Sequence, residues 1–248
     1  ANNRAWRRRF KEDPELFERM EREARFPSAD VLERWRGWLA LDDLGFEAAL
    51  EGRWQAKREA EPASWRDPRL NHPAQPVVGV CWYEARAYCA WLAAQTGMAV
   101  RLPTEVEWEA AAGGRGGRRF PWGDAWHGRL VNTSEARVNR PSPVGAFVEG
   151  DTPEGIADMA GNVHEWTTSL FGAGDADDEA PEFAYPYDAR DGREDAEAGP
   201  GVRRIVRGGS WSVAPPLART ACRGSARPDV RGGSDGFRVL VAAASERR

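Results

Sequence analysis

The sequence predicts an α+β fold of short strands and long irregular loops around two main helices, preceded by a helical extension over residues 1–60. Three observations predict it. The texture changes at Glu61, from a charged, helix-like stretch to short runs broken by Pro and Gly. Two stretches beyond that point, 83–96 and 104–113, carry a helical period with recognisable ends. Finally, IVRGGSWSVAPPLARTACRGSARPDVRGGSDGFRV (205–239) has ends that alternate apolar residues with Gly and Arg, around a middle with neither a helical nor a strand period.

In the extension, Leu32, Trp35 and Leu39 fall at i, i+3 and i+7 behind a cap at Ser28 or Asp30, which predicts packed helices in a scaffold role. From Tyr83 to Thr96, Ala85, Tyr88, Cys89, Leu92 and Ala93 make one apolar stripe that Gly97 stops, so Cys89 belongs to the core. The second helix starts at PTEVEW, where Thr104 and Glu107 have capping-box spacing, and stops at Gly113-Gly114. Residues 172–200, acidic and rich in Gly and Pro with Tyr185 and Tyr187 inside, read as a long excursion within one domain, 61–248. Strands are expected over Ile205–Trp211 and Gly236–Val239. Between them Pro215, Pro216, Pro228 and Gly232-Gly233 forbid a continuous helix, although Arg219, Arg223, Arg227 and Arg231 recur every four residues. Those arginines are expected to anchor the loop from beneath by bonding carbonyls and carboxylates.

With 248 residues and a formal charge of −4, the chain offers no broad basic surface, which argues against nucleic acid as a partner. No apolar run approaches the roughly 20 residues of a membrane span and no secretory h-region is visible, so no membrane association and a cytoplasmic location are expected. Three cysteines, Cys81, Cys89 and Cys222, are too few and odd in number for a disulfide framework.

The order of PVVGVCWYEARAYCAWL (76–92), RLPTEVEWEAAA (101–112), FPWGD (120–124), GIADMAGNVHEW (155–166), RIVRGGSW (204–211) and DGFRV (235–239) resembles the formylglycine-generating-enzyme-type branch of the C-type lectin fold. The resemblance runs from about Trp65 to Val241 and implies that fold. In the enzymes of this branch two cysteines after the GGS turn hold Cu(I). The matching positions here lie near Val213 and Ala218, and Cys222 alone cannot supply the pair, so no copper is expected. Related sulfoxide synthases take iron on three histidines from a separate helical bundle. His72, His127 and His164 stand singly, so no iron is expected either.

A third branch, the variable proteins of diversity-generating retroelements, is rewritten between GGSW and GFR through template codons that become NNC. Such codons never encode Lys, Glu, Gln, Met or Trp, and residues 212–235 contain none of them. The resemblance then implies Ser212, Val213, Ala214, Pro216, Leu217, Cys222, Gly224, Ala226, Val230, Gly232, Gly233 and Ser234 as diversified, ligand-binding positions within a variable region of about 205–239. On this reading the chain is a non-enzymatic binder of an unidentified protein or small molecule. The alternatives are a formylglycine-generating or sulfoxide-synthase-type metal oxidase and a sensor domain of a larger signalling protein. The resemblance also offers GIADMAGNVHEW as a structural calcium loop, with the carboxylates of Asp158 and Glu165 and the carbonyls of Gly161 and Val163 as ligands. The same stretch is equally readable as a tight turn whose two carboxylates cap backbone donors.

Overall fold

The computed structural model describes residues 3–26, 28–56, 60–173 and 181–242. The chain divides into two compact units, Ala1–Ala60 and Glu61–Arg248.

The smaller unit is four helices: α1 (Asn3–Glu12), α2 (Pro14–Arg22), α3 (Ala29–Ala40) and α4 (Asp43–Ala56). Local chemistry sets their starts. Asp13 accepts from the Leu16 amide at 3.1 Å with Pro14 in the first turn, and Ser28 accepts from the Val31 amide at 3.4 Å. Phe10, Leu16, Trp35, Trp38 and Phe46 form the core, with Trp35 and Trp38 edge to face at 5.1 Å. The buried face of α3 is thus centred on the two tryptophans, with Leu39 packed beside them and Leu32 half-buried. Arg7, itself buried, donates to the carbonyls of Trp38 (3.0 Å) and Asp42 (3.1 Å) and to Asp43 (2.7 Å), which fixes the turn between α3 and α4.

In the larger unit α5 (Trp82–Thr96) is closed by Gly97 at φ +69°, whose amide donates to Ala93. A short strand β1 (Ala99–Arg101) leads to α6 (Glu105–Gly113). Its cap is reciprocal: the Thr104 hydroxyl accepts from the Glu107 amide at 3.3 Å, and the Glu107 carboxylate accepts from the Thr104 amide at 2.8 Å. The remaining strands are β2 (His164–Ala173), β3 (Val202–Arg207), β4 (Gly224–Ala226), β5 (Asp235–Gly236) and β6 (Leu240–Ala242). They form a four-stranded sheet in the order β4-β3-β2-β5 and a separate antiparallel pair of β1 with β6. Trp82, Ala85, Cys89, Val100, Leu102, Trp166 and Val206 make the core between α5 and the sheet. Trp166 is fully buried and donates its indole N–H to the Val80 carbonyl at 3.0 Å.

The structure corrects four details. Tyr88, expected on the buried stripe, is 45% exposed and packs edge-on against Phe237 instead. The first strand of the 205–239 region begins earlier, at Val202, and ends at Arg207, because Gly208 and Gly209 turn the chain at φ +89° and +70°; Trp211 lies beyond it. The expected strand over Gly236–Val239 is split, with β5 ending at Gly236 and β6 starting at Leu240. The middle is not wholly irregular, since Pro215–Ala218 forms a 3-10 turn and Gly224–Ala226 pairs with Arg204–Val206. Of the 172–200 excursion, residues 174–180 lie outside the described residues. Among the described residues no helix is long and apolar enough to cross a membrane.

Candidate functional site

The segment between β3 and β5 rests on a charged layer built from the sheet and α6. Glu105, in the first turn of α6, has no exposure, and its carboxylate accepts from Arg223 Nε at 2.7 Å and Nη2 at 2.9 Å. Arg223 also donates to the Phe183 carbonyl at 2.9 Å and lies 5.3 Å from the Tyr185 ring. Arg207, equally buried, donates to the carbonyls of Cys222 and Thr220, both at 2.7 Å, and pairs with Glu109 and with Glu105, the latter at 3.4 Å. One arginine from the sheet therefore holds two consecutive bends of the loop, and one from the loop reaches back to the same buried carboxylate. Charged groups stripped of water persist only when paired in this way. Burial, reinforced by Glu105 and Glu109, pushes the Tyr185 hydroxyl above its ordinary range.

Apolar and backbone contacts complete the seat. Ala218, Thr220 and Pro228 are buried, Ala218 beside Val131 and Ala160. The Thr220 amide donates to the Arg119 carbonyl at 3.0 Å, and the Trp82 amide to the Pro228 carbonyl at 3.1 Å. Arg231 grips Glu84 with two bonds, of 2.9 and 2.7 Å. Of the four arginines spaced by four, Arg223 and Arg231 are thus the anchors to the frame. Arg219, exposed, bonds the Pro216 carbonyl within the loop at 2.9 Å, and Arg227, also exposed, lies 3.6 Å from Asp229.

None of the twelve positions singled out in the sequence is buried. Ser212, Ala214, Pro216, Leu217 and Val230 are exposed, and Val213, Cys222, Gly224, Ala226, Gly232, Gly233 and Ser234 are half-buried. They do not form a single patch. The Trp211 amide donates to the Asn162 carbonyl and the Ser234 carbonyl accepts from the His164 amide, each at 2.8 Å. Residues 211 and 234 therefore hang on Asn162 and His164, two positions apart, so 212–217 and 230–234 flank the same turn. Gly224 and Ala226, in β4, sit at the opposite edge of the sheet from β5, three strand spacings or about 14 Å away. A side chain at Gly224 would press on Val206 at 3.0 Å, whereas one at Gly233 meets only ordinary contacts at 3.8 Å and beyond. Trp211 and Phe237, expected beneath the face, are half-buried, and the Trp211 indole N–H is shielded without a hydrogen-bond partner.

Both carboxylates expected as calcium ligands, Asp158 and Glu165, have protein partners. Glu165 accepts from Arg238 through both oxygens (2.5 and 2.6 Å) and from the Trp108 indole at 2.6 Å. Arg238 also donates to the carbonyls of Ala157 at 3.1 Å and Asp158 at 3.4 Å, so it ties the Glu165 carboxylate to the backbone of the preceding loop. The Asp158 carboxylate accepts from the Gly145 amide at 2.8 Å, and burial raises its pKa. The Gly161 amide donates to Gly208, and Val163 is buried in the core. The stretch is a turn held by arginine, and the sequence missed this because Arg238 is remote from it in the chain. Next to it His164 pairs in register with Asp235 across the parallel strands β2 and β5. Burial lowers the His164 pKa and raises that of Asp235, while their mutual attraction opposes both shifts.

Copper and iron fare no better. Val213 and Ala218 carry no sulfur, Cys81 and Cys89 are buried near and within α5, and Cys222 is half-buried on the loop. His72 and His127 are exposed on separate turns. Among the described residues no group of three or more His, Cys, Asp or Glu side chains could hold a metal ion. Among the described residues, the side chains present match neither donor set.

A family model described as "Sulfatase-modifying factor enzyme 1-like domain" matches residues 25–243. Hercynine oxygenase of Mycolicibacterium thermoresistibile is 35% identical over 210 residues, covering 76% of this chain and 44% of that protein. Formylglycine-generating enzyme of Streptomyces coelicolor is 34% identical over 200 residues, covering 71% and 57% respectively. The chain spans about half the length of these relatives. Among solved structures, Treponema denticola variable protein 1 superposes with a TM-score of 0.52 at 22% identity, over 67% of this chain and 70% of that one, which supports the shared fold. The relatives overturn the expectation of a non-enzymatic chain, since both carry the names of enzymes. The expectation rested on the residues of this stretch alone, and over half of the hercynine oxygenase lies beyond the match.

Proposed function

The chain belongs to the sulfatase-modifying-factor family, and from that premise we propose that it is the substrate-recognition part of an oxygenase similar to hercynine oxygenase. The loop surface of residues 212–217 and 230–234 is its recognition face, and the metal ligands come from outside the described residues. One observation carries this reading. Identity of 35% to hercynine oxygenase over less than half of that protein coincides with a chain whose described side chains gather no metal-binding group. The rest follows from the seat under the loop. Arg207, Glu105 and Arg223 hold its bends in a fixed shape, so the exposed side chains of 212–217 and 230–234 meet a ligand without first being ordered, which removes much of the entropic cost of binding. The test is calorimetric titration of the chain with hercynine, and separately with Fe(II) under anaerobic conditions. Saturable hercynine binding without stoichiometric tight Fe(II) binding is the expected pair of results. Tight Fe(II) binding by this chain alone, or no interaction with hercynine, contradicts the proposal.

A second reading concerns the same face and is favoured by a separate observation: residues 212–235 lack Lys, Glu, Gln, Met and Trp, and none of the twelve positions is buried. On this reading the face is diversified by retroelement mutagenesis, in keeping with the name "variable protein" borne by the Treponema denticola neighbour of the same fold. A template copy of the 205–239 coding stretch in the same genome, differing only at adenines, is the expected finding; a locus without one contradicts it.

A further inference from the structure

The helical unit contains a cavity of about 430 Å³ that the recognition face does not use. Its walls are aromatic: Trp6, Phe10, Phe26, Trp35 and Trp38 line it, and Phe10 meets Trp35 edge to face at 5.3 Å. A cavity of this size falls in the range that small ligands fill, roughly 300–1,000 Å³. Its polar side chains are Asn3, Arg25 and Arg34, and two of the three are cationic. Arg25 is exposed and already paired with Glu23 at 3.1 Å. Arg34 lies with its guanidinium carbon 5.6 Å from the centroid of the Trp38 ring, and its Nε is shielded from solvent with no hydrogen-bond partner among the described residues. A shielded N–H without an acceptor is costly, and an anionic acceptor satisfies it best.

We propose that this cavity binds a small amphipathic anion, a flat aromatic body carrying one carboxylate. The body fills the space between the tryptophan and phenylalanine rings, and the carboxylate accepts from Arg34. The mostly apolar walls disfavour a strongly hydrated ion such as phosphate, which would lose more water than the few polar side chains of the lining replace. Pairing with Arg34 distinguishes the anion from a neutral molecule of the same shape.

The test is calorimetric titration of the full chain with 2-naphthoate and with the neutral 2-naphthalenemethanol, for the wild type, Arg34→Gln and Arg34→Lys. Expected are saturable naphthoate binding with one site per chain, at least tenfold weaker binding of the neutral analogue, a loss of at least tenfold in naphthoate affinity in Arg34→Gln, and partial recovery in Arg34→Lys. Neutral binding should be the same in all three proteins. The proposal is overturned if naphthoate does not bind saturably, or if Arg34→Gln leaves its affinity unchanged. It is equally overturned if the neutral analogue binds as tightly as naphthoate, which would mark a plain apolar socket suited to a partner's side chain. The comparison of the two probes on the wild type decides the matter even if a variant fails to fold.

Discussion

Glu105→Gln removes one charge from the layer beneath the loop while keeping the shape of the side chain. Glu105 and Arg207 have side chains with no exposure and Arg223 is 14% exposed, so the neutral amide leaves two shielded guanidinium groups facing a weaker acceptor. Breaking a buried ion pair from one side costs about 3–5 kcal/mol. Arg207 keeps Glu109 and the carbonyls of Thr220 and Cys222, and Arg223 keeps the Phe183 carbonyl, which places the cost at the lower end, about 3 kcal/mol. For a chain of this size that corresponds to a fall in Tm of about 6–12 °C. Thermal unfolding followed by near-UV circular dichroism reports it directly, because Trp108 stacks beneath Arg207 at 5.3 Å. Glu61→Gln, which breaks an exposed pair with Arg66, is the control and should shift Tm by no more than about 2 °C. A Glu105→Gln shift as small as that of the control would refute the view that this carboxylate holds the loop.

Three further outcomes follow from the same geometry. Leu217→Asn and Val230→Asn combined should lower Tm by less than about 4 °C, since exposed substitutions stay within about 0.5 kcal/mol each; a drop beyond about 10 °C would make these residues core. Gly161→Ala should cost about 2–4 kcal/mol in urea unfolding, because the backbone there has φ +65° and a Cβ would meet the Asn132 carbonyl oxygen at 2.4 Å; a cost under about 0.5 kcal/mol counts against that contact. Hydrogen bonds from Arg101 hold the Glu107 pKa down at about 2, against 4.5 for the free carboxyl. The stability this contributes is fully present above pH 4.5 and is lost as pH falls through about 2. After screening of the partly exposed pair it amounts to about 1 kcal/mol, so Glu107→Gln should be less stable than the wild type by that amount at pH 7 and the gap should close toward pH 2. A gap unchanged from pH 7 to pH 2 contradicts it.

What the sequence made legible was governed by neighbours in the chain. The ends of α5 and α6 could be read because Gly97 and the Thr104–Glu107 pair act within a few residues. The loop nature of 212–235 was legible from Pro and Gly for the same reason. The errors have the opposite character. Glu165 looked like a calcium ligand because its partner Arg238 lies 73 positions away, and nothing local announces the pairing. Glu105 drew no notice, since its burial depends on Arg223, 118 positions on. Four arginines at equal spacing suggested one common role, yet Arg223 and Arg231 grip carboxylates of the frame while Arg219 bonds a carbonyl of the loop itself, because an irregular loop does not keep its period in space. Tyr88 has the spacing of a core residue, but the chain returning at Phe237 covers only its edge.

Amide hydrogen exchange of the full chain, with and without saturating hercynine, tests most directly whether the loop surface is a recognition face. The account predicts slowed exchange over Ser212–Leu217 and Val230–Ser234, the two runs that flank the Asn162–His164 turn, with little change in α5 and α6. Protection confined to other parts of the chain, or no protection in these two runs when hercynine is bound, would contradict it.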